Sequence, residues 1–174
     1  MEKKYSYIHI FARDVPVDTR TAFDWMTEYS QDDMRFYDAE AGTRSFQRQG
    51  QNKIKLTTEE REKGHELKID GIVTLSPPDR WNYVGVMIRD GTVVASFEEY
   101  FSLDQLAENT SRFTIRIEAR PLALSFKFYV TFFSKKLDAW LDGPHDRIVR
   151  AMVSECTGNR PPSPPTTTAT IAQV

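Results

Sequence analysis

FKFYVTFFSKKLDAW, residues 126–140, holds six aromatic residues in fifteen positions. Two templates describe its first half. Phe126, Phe128, Val130 and Phe132 alternate with Lys127, Tyr129 and Thr131, as in a strand. Phe126, Tyr129, Val130, Phe133, Leu137, Trp140 and Leu141 follow steps of three and four, as in a helix. The alternation fails at Phe133, while the helical spacing runs on through Leu141. A helix is the favoured reading. Its apolar part is only about a dozen residues long, with Lys127 inside, too short and too charged to span a membrane. A helix apolar on nearly all sides through Phe133 predicts deep burial of its first turns.

Downstream, HDRIVRAMVSE carries Ile148, Val149 and Met152 on one helical face. Gly143-Pro144 separates the two runs. Proline lacks an N–H and clashes with the preceding turn, so a kink is expected there. Upstream, the chain changes character. TRSFQRQ, NKIKLTTEERE, HELKIDGIVTL, RWNYVGVMIRD, TVVASFEEYFSLD and TSRFTIRIEAR have β composition or alternation. The short turns between them mean neighbouring antiparallel strands. Pro77-Pro78-Asp79 reads as a tight turn, and Asp90-Gly91 is a strong hairpin signal. YSYIHIFARD, residues 5–14, reads as a first strand. Asp18 is the expected N-cap of a helix over TRTAFDWMTEY. Ser30, Asp32 and Asp33 mark the start of a second short helix, about 31–37.

The expected architecture is α+β. A curved antiparallel sheet of seven strands grips a long, kinked C-terminal helix, with two short helices after strand 1. One curved sheet and one helix cannot fill the space between them with side chains, so an apolar cavity is expected. The domain covers 1–156. The Pro- and Thr-rich segment 157–174 reads as a disordered tail with one PxxP spacing, Pro161–Pro164.

Bulk properties exclude several classes. The net charge of −2 offers no basic field for nucleic acid. Cys156 is the only cysteine, so no internal disulfide forms, and a reducing, cytoplasmic location is expected. Neither a signal peptide nor a transmembrane run is evident. His9, His65 and His145 have no ligand spacing, so no metal and no cofactor are expected. Surface or hairpin-end positions are the plain reading of all three. Nucleophile-elbow and phosphate-loop motifs are absent.

Alternation places polar groups among apolar ones. Phe97, Glu99 and Phe101 share one face of their strand. Phe113, Ile115, Ile117 and Ala119 face inward on the next, and Trp81, Tyr83 and Met87 line another. A carboxyl between two phenylalanines needs a partner or a raised pKa. Glu99 is therefore the candidate acid–base group or ligand anchor, with Tyr83 as a weaker candidate. The plain alternatives are a salt bridge for Glu99 and packing for Tyr83 and Tyr129. The candidate ligand-binding set is Trp81, Tyr83, Met87, Phe97, Glu99, Phe101, Phe113, Ile115, Ile117, Phe126, Tyr129 and Phe133.

The order of elements resembles the START-like superfamily, also called SRPBCC or the birch-pollen-allergen fold. IHIFARDVPVDTRTAFDWMTEY looks like its first strand, turn and helix. VTLSPPDRWNYV looks like its proline-containing hairpin, and FEEYFSLDQLAENTSRFTIRIEARP like its last two strands. The likeness covers about residues 5–155 and is greatest to small polyketide-cyclase-like proteins. It implies a cavity for a hydrophobic small molecule such as a lipid or polyketide, held by a carrier or sensor. It equally leaves open a cyclase or dehydratase, or an interaction module resembling co-chaperones. A transient membrane contact or a homodimer would occupy any surplus of exposed aromatics.

Overall fold

The computed structural model describes residues 7–29, 35–36, 41–62 and 64–158. Strand β1 (Tyr7–Val15) is followed by helix α1 (Thr19–Thr27) and six strands. These are β2 (Ala41–Arg48), β3 (Lys53–Glu62), β4 (His65–Ser76), β5 (Arg80–Arg89), β6 (Thr92–Ala107) and β7 (Thr110–Pro121). Helix α2 (Leu124–Cys156) closes the fold. The sheet is antiparallel throughout, in the order β1-β7-β6-β5-β4-β3-β2. β1 pairs with β7, so the first strand joins the last and the edges are β1 and β2. The second short helix and the tail fall outside the described residues, except for 35–36 and 157–158.

Local sequence explains most of these boundaries. The Asp18 side chain accepts a hydrogen bond from the Thr21 backbone N–H at 3.0 Å, which caps α1. Asp90 and Gly91 both take positive φ, +48° and +76°, the geometry that a two-residue hairpin requires. β7 alternates buried and exposed almost without fault over twelve residues. Its inward residues meet those of β1, β6, β5 and β4 in a core of Phe11, Val15, Val73, Trp81, Leu103, Phe113 and Ile115.

Two glycines let the middle of the sheet curl closely. Gly71 on β4 stands opposite Gly85 on β5. A Cβ on Gly71 would lie 2.4 Å from the Val84 carbonyl oxygen and 2.7 Å from the Tyr83 ring. A Cβ on Gly85 would lie 2.5 Å from the Asp70 carbonyl oxygen and 3.0 Å from the Phe97 ring. Aromatic rings thus occupy the space that two side chains would need, and they lie on the face that α2 covers.

α2 departs from expectation in two respects. Its backbone stays helical through Gly143-Pro144 and leaves the helical region at Phe133 instead (φ −129°, ψ 26°). Proline removes one donor, but Leu137, Leu141, Val149 and Met152 pack on the core on both sides of it and hold one axis. The break falls where that packing gives way to an exposed segment. The first turns are also not deeply buried: Leu124, Phe128, Tyr129, Phe132 and Phe133 are exposed, and only Phe126 and Val130 reach the core.

Candidate functional site

Between the sheet and α2 lies a cavity of about 850 Å³, within the size range of small-molecule sites. All seven strands and both helices contribute to its wall. Its packed end is aromatic. Trp81 stacks on Phe101 at 4.9 Å with nearly parallel rings, Phe113 stacks beside them, and Phe23 of α1 meets Trp81 edge-on. Pairing across three strands forces this arrangement. Trp81, Phe101 and Ile115 stand in one row, Tyr83, Glu99 and Ile117 in the next. Side chains in one row of a pleated sheet point the same way, so the rings gather on one face.

Glu99 stands at the centre of the second row. Burial among apolar side chains raises its pKa from 4.5 to about 7, and the Arg44 guanidinium opposes that rise without cancelling it. Arg44 of β2 and Thr58 of β3 are themselves buried in the cavity wall and stand opposite one another. Across from the sheet, α2 contributes Phe126, Leu137, Trp140, Leu141, Pro144, His145 and Ile148. Burial, and to a smaller degree His9, lowers the pKa of His145 to about 4. It is a neutral imidazole over the physiological range. Its Nδ1 is enclosed and has no hydrogen-bond partner among the described residues.

A polar clasp ties α2 to the edge strand. The Tyr7 hydroxyl donates to Asp138, and the His9 ring nitrogens lie 3.3 Å from Asp138 and 3.0 Å from Asp142. Burial and the Asp138 carboxylate push the Tyr7 hydroxyl well above its usual pKa. Tyr7 therefore serves as a donor. Beyond α1, Glu155 accepts from the Trp25 ring N–H at 2.9 Å and pairs with Arg35 at 3.1 Å; all three line the cavity.

Ten of the twelve residues singled out from sequence line this cavity: Trp81, Tyr83, Met87, Phe97, Glu99, Phe101, Phe113, Ile115, Ile117 and Phe126. Tyr129 and Phe133 do not. The break at Phe133 turns them outward, where their rings stack on each other at 5.6 Å. Two histidines also depart from the surface positions expected of them. His9 is buried beneath α2, and His145 reaches into the cavity; only His65 sits at an exposed hairpin end, against Asp90. Sequence reasoning overlooked Tyr7, Arg44, Thr58 and His145 as liners. Extending the alternation from Phe46 back to Arg44, and from Leu56 on to Thr58, would have found two of them. Among the described residues no cluster of three or more His, Cys, Asp or Glu side chains could hold a metal ion.

No family model matches the chain, and no curated protein matches it in sequence. Solved structures do match in shape. A protein from Thermus thermophilus aligns with a TM-score of 0.66 at 6% identity, over 86% of this chain and 99% of its own. The Zhui aromatase/cyclase of Streptomyces sp. R1128 aligns at 0.61 and 9% identity, over 89% and 93%. A START superfamily protein from Mycobacterium smegmatis aligns at 0.59 and 8% identity, over 88% and 99%. The fold is the START-like helix-grip fold. At these identities the likeness speaks for the fold alone. No helix among the described residues is long and apolar enough to cross a membrane.

Proposed function

We propose that this chain binds one hydrophobic small molecule in the cavity, as a carrier or sensor. The observation that carries this reading is an 850 Å³ space walled by stacked aromatic rings, with a few polar groups set among them. Apolar walls supply affinity and the polar groups orient the guest. Glu99, Arg44, His145 and the Tyr83 hydroxyl are the orienting set. The ligand is accordingly amphipathic, an elongated lipid or a planar polyketide with oxygen substituents. The single cysteine supports a reducing compartment, the cytoplasm, as the place of action. Native mass spectrometry of protein purified from its host should detect a bound apolar compound, and an environment-sensitive dye should compete for the site. An empty protein that binds no dye and no lipid would sink the proposal.

A second reading is favoured by one observation, the pKa of Glu99 near 7. A carboxyl poised at the working pH can give or take a proton, as general acid–base catalysis requires. A cyclase or dehydratase would use Glu99 in that role, with the Tyr83 hydroxyl turning from the Leu56 carbonyl oxygen, 3.4 Å away, to polarise a substrate carbonyl. Three of the neighbours in shape are described as aromatase/cyclase or ARO/CYC proteins, which supports testing polyketide substrates. Glu99→Gln should then abolish turnover while leaving binding intact. An activity that survives this change assigns the chemistry elsewhere.

A further inference from the structure

We infer that the exposed first turns of α2 dock on the surface of an anionic lipid bilayer. Leu124 is 83% exposed, Phe132 65%, Phe128 58% and Leu122 54%. Single exposed apolar residues are ordinary on protein surfaces; a contiguous cluster is not. Here the rings touch one another. Phe128 lies 4.6 Å from Phe132 and 6.4 Å from Phe133, and Phe133 stacks on Tyr129. Phe133, where the backbone leaves the helical region, is 38% exposed.

Charge selects the occupant. Lys127, Lys135 and Lys136 are all exposed around the cluster, and no acidic residue lies between Pro121 and Leu137. Lys136 Nζ sits 5.3 Å from the centre of the Phe133 ring. The chain as a whole carries −2, so this basic, aromatic surface is local. A second copy is the poorer partner. A two-fold interface would set this patch and its three lysines against the same basic patch of the other copy. The nearest carboxylate along the helix, Asp138, is already engaged by Tyr7 and His9. An anionic bilayer meets the lysines with opposite charge and the rings with an apolar interior. The three lysines keep the helix in the plane of the surface rather than across it.

The same helix continues directly into the cavity wall through Phe126 and Trp140, and Trp140 is itself partly exposed. The seat and the cavity thus adjoin. Docking rests on the surface cluster alone, and it stands whether or not the cavity holds a ligand.

The test uses the full chain and sedimentation with vesicles of phosphatidylcholine alone, or mixed with phosphatidylglycerol. The protein should bind the mixed vesicles, bind the neutral ones weakly, and release as salt is raised. Each lysine near such a surface adds roughly fivefold in affinity. The variant Lys127→Gln/Lys135→Gln/Lys136→Gln should therefore lose on the order of a hundredfold. Phe128→Ser/Phe132→Ser should also lose binding, with its circular dichroism unchanged and its melting temperature within a few degrees, because both rings are more than half exposed and pack on no buried core residue. Should that pair fail to fold, Leu124→Ser serves the same purpose. Absence of binding to mixed vesicles overturns the inference, as does equal binding to neutral vesicles or undiminished binding by the aromatic variant. Sedimentation velocity adds one more outcome. A dimer that the aromatic variant dissolves would assign the surface to a second copy of this chain and refute the bilayer.

Discussion

Glu99 and His145 share one cavity and titrate in opposite senses. Burial favours the neutral carboxyl of Glu99, so the folded chain keeps a proton that the unfolded chain releases between pH 4.5 and about 7. The stability this supplies is complete below 4.5 and is lost as pH rises through about 7. Burial equally favours the neutral imidazole of His145, whose pKa falls from 6.5 to about 4. The stability it supplies is complete above 6.5 and is lost as pH falls toward 4. Each gap is worth up to about 3 kcal/mol. Between pH 4.5 and 6.5 the two slopes oppose each other, and this pair leaves the stability nearly level. Glu99→Gln should expose the histidine, so that stability rises with pH across that window. His145→Phe should expose the carboxyl, so that stability falls. The double variant should be level again. Urea unfolding at a series of pH values reads all three, and a Glu99→Gln profile parallel to wild type would show that Glu99 is not desolvated.

Single elements carry sharper demands than composition reveals. Gly71→Ala on β4 would press a methyl against the backbone of β5, at 2.4 Å from the Val84 oxygen and 2.8 Å from Gly85 Cα. It should cost about 1–3 kcal/mol, since backbone on both sides must move. Gly143 stands in α2 directly before Pro144, where the proline Cδ crowds the Cβ of any other helical residue. Gly143→Ala should therefore not gain the usual stability of alanine over glycine in a helix. The denaturant midpoint of Gly71→Ala should fall; a midpoint equal to or above wild type would refute the close Gly71–Gly85 approach. Asp18→Ala removes the cap of α1 and should cost about 1 kcal/mol by the same measurement, which Asp18→Ser should largely restore.

At the scale of the whole molecule the cavity is the feature to perturb. Ala119 lies in the cavity wall between Tyr7 of β1 and Phe97 of β6. Ala119→Phe should reduce dye binding by about tenfold or more while leaving the melting temperature within a few degrees. Collapse of the fold instead would show that the space is not open as described. Sequence alone determined the seven strands, the first helix and the long last one, the hairpin order and the inward faces of β5, β6 and β7. Those features rest on local rules: period-two alternation, turn chemistry, and short connections that leave adjacent strands one way to pair. By the same rules Glu99 was legible as a carboxyl between two phenylalanines. Tertiary structure decided everything that depends on where α2 lies. The helix crosses from exposed to packed at Phe133, which sends Tyr129 and Phe133 outward and brings His145 inward. It also buries His9 under two aspartates more than a hundred residues away. The physical reason is that a strand's faces are set by its own backbone, whereas a helix exposes or buries a side chain only through the partner it lies against.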